Sequence, residues 1–137
     1  MAVRIRRIHY YSTTVRDEPG QGYRVLSALA EQHVNLVAFT GVPIGDHLTQ
    51  LTLFPDDESL FLSSAKKSGL KLEGPHPALL VQGDDQLGAI ADIHRRLFDA
   101  KVNVFASSGV ADGRGSYGYV LHVRPEHFES AVQALDV

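Results

Sequence analysis

The feature that most constrains this chain is an internal repeat. Residues 17–42 match residues 85–110 without a gap. Asp17, Gly20, Leu29, Val34, Asn35, Ala38, Gly41 and Val42 recur as Asp85, Gly88, Leu97, Val102, Asn103, Ala106, Gly109 and Val110, all in one constant register. A self-match at one fixed spacing marks one supersecondary unit used twice, and a fold that ignores it is the wrong fold. The chain has 137 residues. Units of about half that length are marginal alone, so packing between the copies is expected to add core.

Each copy reads as the same series of elements. Tyr10 to Val15 is rich in β-branched and aromatic residues and predicts a strand. Asp17-Glu18-Pro19-Gly20 is a turn and helix start, and Val25, Leu26, Leu29 and Ala30 follow at helical spacing. Asn35 to Val42 predicts a strand, Pro43 to Asp46 a turn, and Leu48 to Phe54 another strand. A second helix starts at Pro55-Asp56-Asp57 and ends at Gly69, and Leu70 to Glu73 predicts a short fourth strand. In the second copy, Ala78 to Val81 is a strand and Ile90, Ile93, Leu97 and Phe98 form a helix stripe. Val102 to Ser108 and Tyr117 to Val123 are strands around a turn at 111–116. Pro125-Glu126 opens a last helix carrying Phe128, Ala131, Val132 and Leu135.

The order is βαββαβ followed by βαββα, the split βαβ arrangement of ferredoxin-like folds. The expected class is α+β: two ferredoxin-like units in tandem, residues 1–75 and 76–137, with antiparallel sheets and helices on one face. The sequence reaches Val137 about where the second copy's fourth strand is due. The long N-terminal strand or a partner chain is expected to cover that edge, since an open edge invites pairing.

Composition narrows the function classes. The formal net charge is −3, which does not favour nucleic acid or an anionic membrane surface as partner. Arg4, Arg6 and Arg7 interleave with Val3, Ile5 and Ile8 and read as the charged face of a strand. There are no cysteines, so disulfides, thiolate metal sites and cysteine nucleophiles are excluded. The first residues lack an apolar run of signal-peptide length, no segment approaches the roughly 20 apolar residues that span a bilayer, and a cytoplasmic protein is expected.

Three motifs carry little. Gly113-Arg114-Gly115-Ser116-Tyr117-Gly118 matches G-x-G-x-x-G, but it feeds a strand rather than opening a helix, so it predicts a hairpin turn and no dinucleotide cofactor. Ser63-Ser64-Ala65-Lys66 has S-x-x-K spacing without the companion motifs of serine acyl-enzymes, and reads as a solvated helix face. The seven histidines (His9, His33, His47, His76, His94, His122 and His127) form no H-x-x-x-H or H-E-x-x-H pair, so no metal is expected. No nucleophile, base and orienting group assemble in the sequence, and Asp84 and Asp85, being adjacent, point apart in an extended chain.

Asp17-x-Pro19-Gly20 followed by Val34-Asn35-Leu36, repeated as Asp85-x-x-Gly88 with Val102-Asn103-Val104, resembles the ACT-domain signature. The resemblance covers nearly the whole chain in two copies. It implies a regulatory module that binds an amino acid or another small molecule, and units that pair side by side, within one chain or across a dimer; a homodimer is expected. It places the ligand where the first strand–helix loop of one unit meets a strand of its neighbour. The residues it points to are Asp17, Gly20 and Asn35, and Asp85, Gly88 and Asn103. A helix start offers free N–H groups and the positive end of its dipole to a carboxylate, an aspartate can meet an ammonium, and an asparagine amide donates and accepts. A purely structural reading stands beside it: aspartates that cap helices, glycines that serve turns, asparagines bonded to backbone. The first copy departs from the pattern with Gly22 where the second has Ile90, and the second has Leu87 in place of Pro19.

Three functions follow. The leading one is a non-enzymatic sensor of an amino acid, without cofactor. The second is a regulatory subunit or interaction module docking on a metabolic enzyme. The third, a small ferredoxin-like enzyme, lacks the convergent polar residues it needs. Fold analogy alone does not choose among them.

Overall fold

The computed structural model describes residues 3–137. The fold is α+β, with six strands and four α-helices among the described residues. The chain forms two compact units. One is His9–His76; the other joins the segment ending at Ile8 to Pro77–Val137.

In the first unit, β1 (Val3–Arg16, from His9 onward) leads into α1 (Gln21–Glu31), β2 (Leu36–Pro43), β3 (Leu48–Pro55), α2 (Glu58–Lys67) and the opening of β4 (Glu73–Asp84). The strands lie in the order β2-β3-β1 and pair antiparallel. Alternation places Tyr11, Leu51 and Leu53 on one face, where Val25 and Leu29 of α1 and Phe61 of α2 cover them. Asp57 caps α2 by accepting a hydrogen bond from the Leu60 N–H (3.1 Å), the usual remedy for an unpaired donor at a helix start. Gly69, in the left-handed region, ends the helix. The Leu70 N–H bonds back to the Ala65 carbonyl (2.9 Å).

In the second unit, β4 leads into α3 (Ala89–Asp99), β5 (Ala106–Ala111), β6 (Ser116–His122), a 3₁₀ turn (Pro125–His127) and α4 (Phe128–Ala134). Its strand order is β1-β4-β6-β5. Leu79, Val81, Tyr117, Tyr119 and Leu121 face Ile93 and Leu97 of α3 and Phe128, Ala131 and Val132 of α4. The place of a fourth strand beside β4 is taken by the start of β1. Ile5 packs against this core and Arg7 donates to Glu129 (3.3 Å).

The repeat extends to individual hydrogen bonds. The Asp17 N–H donates to the His47 carbonyl and the Asp85 N–H to the Gly115 carbonyl, both at 2.8 Å. Ile44 N–H to Leu48 carbonyl is matched by Asp112 N–H to Ser116 carbonyl, both at 2.9 Å. Gly41 sits opposite Leu51 as Gly109 sits opposite Tyr119. His33 and Lys101 share a positive φ, 62° and 60°.

Three details differ from the sequence expectations. The strand expected at 78–81 is part of a longer one, β4, which runs from Glu73 despite Pro75 and Pro77, and residues 70–72 of the strand expected at 70–73 lie outside it. Those prolines share one parity in the strand, so both missing N–H groups fall on one edge of it. β5 begins at Ala106 rather than Val102. Phe98, expected in the buried stripe of α3, is 78% exposed. It follows the inward Leu97, about 100° further round the helix.

Candidate functional site

The loop from β4 to α3 is fixed at both ends. Asp85 is tied to Gly115, the Ala89 N–H donates to Gln86 (3.1 Å), and the Asp92 N–H donates to Gly88 (3.0 Å). Gly88 stands at the N-cap of α3 with φ 82°, a left-handed conformation that glycine adopts without steric cost. No side chain caps the helix, so the capping role considered for Asp85 is not taken, and Asp17 likewise leaves α1 uncapped behind Gly20 (φ 88°).

A cavity of about 620 Å³ opens at this helix start. Its walls are the loop with the first turn of α3 and, opposite, Gly109 to Ala111 of β5; Tyr117 of β6 completes it. Asp85 is the one charged side chain in the lining, and Ile90 and Val110 supply apolar surface. Tyr117 is 6% exposed, and its hydroxyl is buried without a hydrogen-bond partner among the described residues. An unpaired buried hydroxyl is costly. Burial also raises the phenol's pKa above its ordinary value. Tyr117 also lines two neighbouring cavities of about 300 and 470 Å³, the first beside Asp92 and Arg96, the second beside Arg4 and Asp112.

Gly109 keeps the β5 wall thin. A Cβ there would stand 2.8 Å from the Tyr119 ring and 3.6 Å from the Ile90 side chain. From α3, the His94 ring meets the Tyr119 hydroxyl, Nε2 to O 2.5 Å.

Of the residues pointed to by the sequence, Asp85 and Gly88 meet at this cavity. Asp17 and Gly20 hold a loop of the same backbone geometry, but Thr49 stands where the second copy has Tyr117, and Gly22 where it has Ile90. Asn35 and Asn103 are exposed and line none of these cavities; the Asn35 carbonyl accepts from the Asp56 N–H (2.9 Å), a backbone role. Sequence reasoning places Tyr117 in a strand and misses its part in the site. The exchange of threonine for tyrosine at one position of the repeat is the available signal.

The G-x-G-x-x-G run is a hairpin turn between β5 and β6, its backbone held by Asp112 Oδ1 accepting from Arg114 (2.6 Å) and Ser116 (3.1 Å). Ser63 bonds the Leu60 carbonyl on the exposed face of α2 (3.2 Å). His9 and Tyr11 both contact Glu58, and Tyr10 lies against Phe54 and His76 with ring centroids 5.2 Å apart in each pair. No three metal-ligating side chains gather among the described residues, and no helix there is long and apolar enough to cross a membrane.

The architecture is a ferredoxin-like α+β fold, and solved structures share it over almost the whole chain. A protein of Bacteroides thetaiotaomicron superposes with a TM-score of 0.82 at 14% identity, covering 96% of this chain and 88% of that one. The ligand-free regulatory subunit of aspartate kinase from Thermus thermophilus superposes at 0.64 with 15% identity, covering 98% and 94%. The aspartate kinase of Clostridium acetobutylicum, an allosteric enzyme, superposes at 0.53 with 18% identity; 96% of this chain matches 33% of that one. At such identities the likeness concerns the fold. No family model matches the sequence, and no curated protein matches it.

Proposed function

We propose that this chain is a regulatory protein of two ACT-like units that binds a free amino acid at the start of α3. The observation that carries the reading is the uncapped start of α3, which opens on a cavity of about 620 Å³ lined by Asp85. The first-turn amides suit a carboxylate, Asp85 suits an ammonium, and Ile90 and Val110 suit an apolar side chain. A free α-amino acid presents all three. No catalytic role is assigned to any residue.

β5 ends the strand order of its unit and is exposed along its whole length. Pairing of two β5 edges in a homodimer would close the cavity with a neighbour's strand. A second reading, a regulatory subunit for a metabolic enzyme, draws support from the fold shared with the aspartate kinase regulatory subunit.

Thermal unfolding against a panel of amino acids tests the first reading. Binding to the native state at a hundredfold excess over Kd stabilises by about 2.7 kcal/mol, and the effect should be lost in Asp85→Asn. If no amino acid raises Tm, the sensor reading fails and co-purification with a metabolic enzyme becomes the next measurement.

A further inference from the structure

A different cavity, of about 320 Å³, lies within the first unit between β1, α1 and the turn that follows α2. We propose that it is a second ligand site, selective for a small organic anion with an apolar body.

Three observations carry this. The first is shape and composition. The volume suits a small ligand, at the lower end of what binding pockets enclose. Val15, Val25, Leu29 and Leu70 give it apolar walls continuous with the core. The second is charge. Arg24 and Lys71 line it and no carboxylate does. Among the described residues neither cation makes an ion pair. Gln21, which opens α1, and Ser68, which closes α2, add polar groups.

The third observation is the repeat itself. The matching face of α3 lines a cavity of about 300 Å³ with Ala89, Asp92, Ile93 and Arg96, where α1 has Gln21, Arg24, Val25 and Ala28. Asp92 replaces Arg24, and Arg95 bonds it at 2.8 Å. The same scaffold is therefore charge-balanced in one copy and purely cationic in the other. The shared fold does not require that difference; anion binding accounts for it. A guanidinium meets a carboxylate in two parallel hydrogen bonds, and the apolar walls take the rest of the molecule. A free amino acid would bring an ammonium to a site with no acid, so this site and the α3 site select different molecules.

Titration of the whole protein, followed through its backbone amide resonances, tests the proposal with four probes: benzoate, hexanoate, benzamide and inorganic phosphate. Saturable shifts at Gln21, Gly69 and Lys71 are expected with the two carboxylates and absent with benzamide and phosphate. Arg24→Gln combined with Lys71→Gln, both exposed, should leave the remaining spectrum intact and weaken carboxylate binding by about tenfold or more. Arg24→Asp, the second copy's residue, should abolish it. The proposal is overturned by no saturable shift with either carboxylate, by equal binding of benzamide or phosphate, or by an unaffected double variant. Shifts confined to Gly88 and Gly109 would assign the probes to the α3 cavity and overturn it equally.

Discussion

Glu58, the first residue of α2, accepts a hydrogen bond from the Tyr11 hydroxyl of β1, and His9 Nδ1 lies 2.8 Å from the same carboxylate oxygen. The pair ties the strand to the helix start through one acceptor, where the positive end of the helix also favours a carboxylate. The contact follows from strand alternation: His9 and Tyr11 are two apart and share a face.

Stability should depend on pH through this pair in two windows. The hydrogen bond from Tyr11 lowers the Glu58 pKa from 4.5. The stabilisation is therefore present above that value and lost as pH falls through the folded-state value. Burial, with the Glu58 hydrogen bond, raises the Tyr11 pKa from 10.0 to about 12. Its stabilisation is complete below the first value and lost as pH rises from the first to the second. Urea unfolding across pH should show both limbs, with the acid limb reduced in Glu58→Gln. A spectrophotometric titration should lose a tyrosinate near 12 in Tyr11→Phe.

Gly41 and Gly109, matched positions of the two copies in β2 and β5, should tolerate alanine differently. In Gly109→Ala the new Cβ lies 2.8 Å from the Tyr119 ring and 3.2 Å from the Gly118 carbonyl. The expected loss is about 1–3 kcal/mol. In Gly41→Ala the nearest atom is the tip of Leu51 at 3.3 Å, a side chain able to yield. There the loss should stay under about 1 kcal/mol. Denaturant midpoints of the two variants decide the point; equal losses would contradict it.

Tyr117→Phe should leave the free protein as stable as the parent, or more stable by up to about 1 kcal/mol, because the hydroxyl it removes has no partner among the described residues. A clear destabilisation would mean that the hydroxyl is satisfied in the free protein.

Ile5→Ala should destabilise by about 1–2 kcal/mol, less than at a fully buried site because Ile5 is only partly buried. The faster amide exchange that accompanies it should appear in β4 and α4, since Ile5 packs on the core they share.

Much of this fold was legible because two periodicities repeat at one spacing. The stripes Val25/Leu29 and Ile93/Leu97 mark the helices, and the loops at Gly20 and Gly88 share a positive φ that only a residue without a side chain adopts easily. Phe98 falls outside the core because a stripe drawn from composition is wider than the line of contact a helix makes with a sheet. The strand break expected around Pro75 and Pro77 does not occur because edge geometry, invisible in sequence, decides whether a missing N–H matters.

The site divides in the same way. The residues of the α3 loop are local in sequence, and their spacing alone points to Asp85 and Gly88. Tyr117 reaches that loop from β6, beyond all of α3 and β5 in the chain, and only strand pairing brings it there. The sequence by itself determined the repeat, the element order and the helix starts, because these rest on backbone propensity and short-range spacing. The tertiary structure alone decided that the start of β1 sits beside β4, that the Tyr117 hydroxyl is buried without a partner among the described residues, and that Arg24 and Lys71 share a cavity free of acids. Those facts depend on which distant segments are brought into contact, and the chain pattern within any one segment carries no record of that.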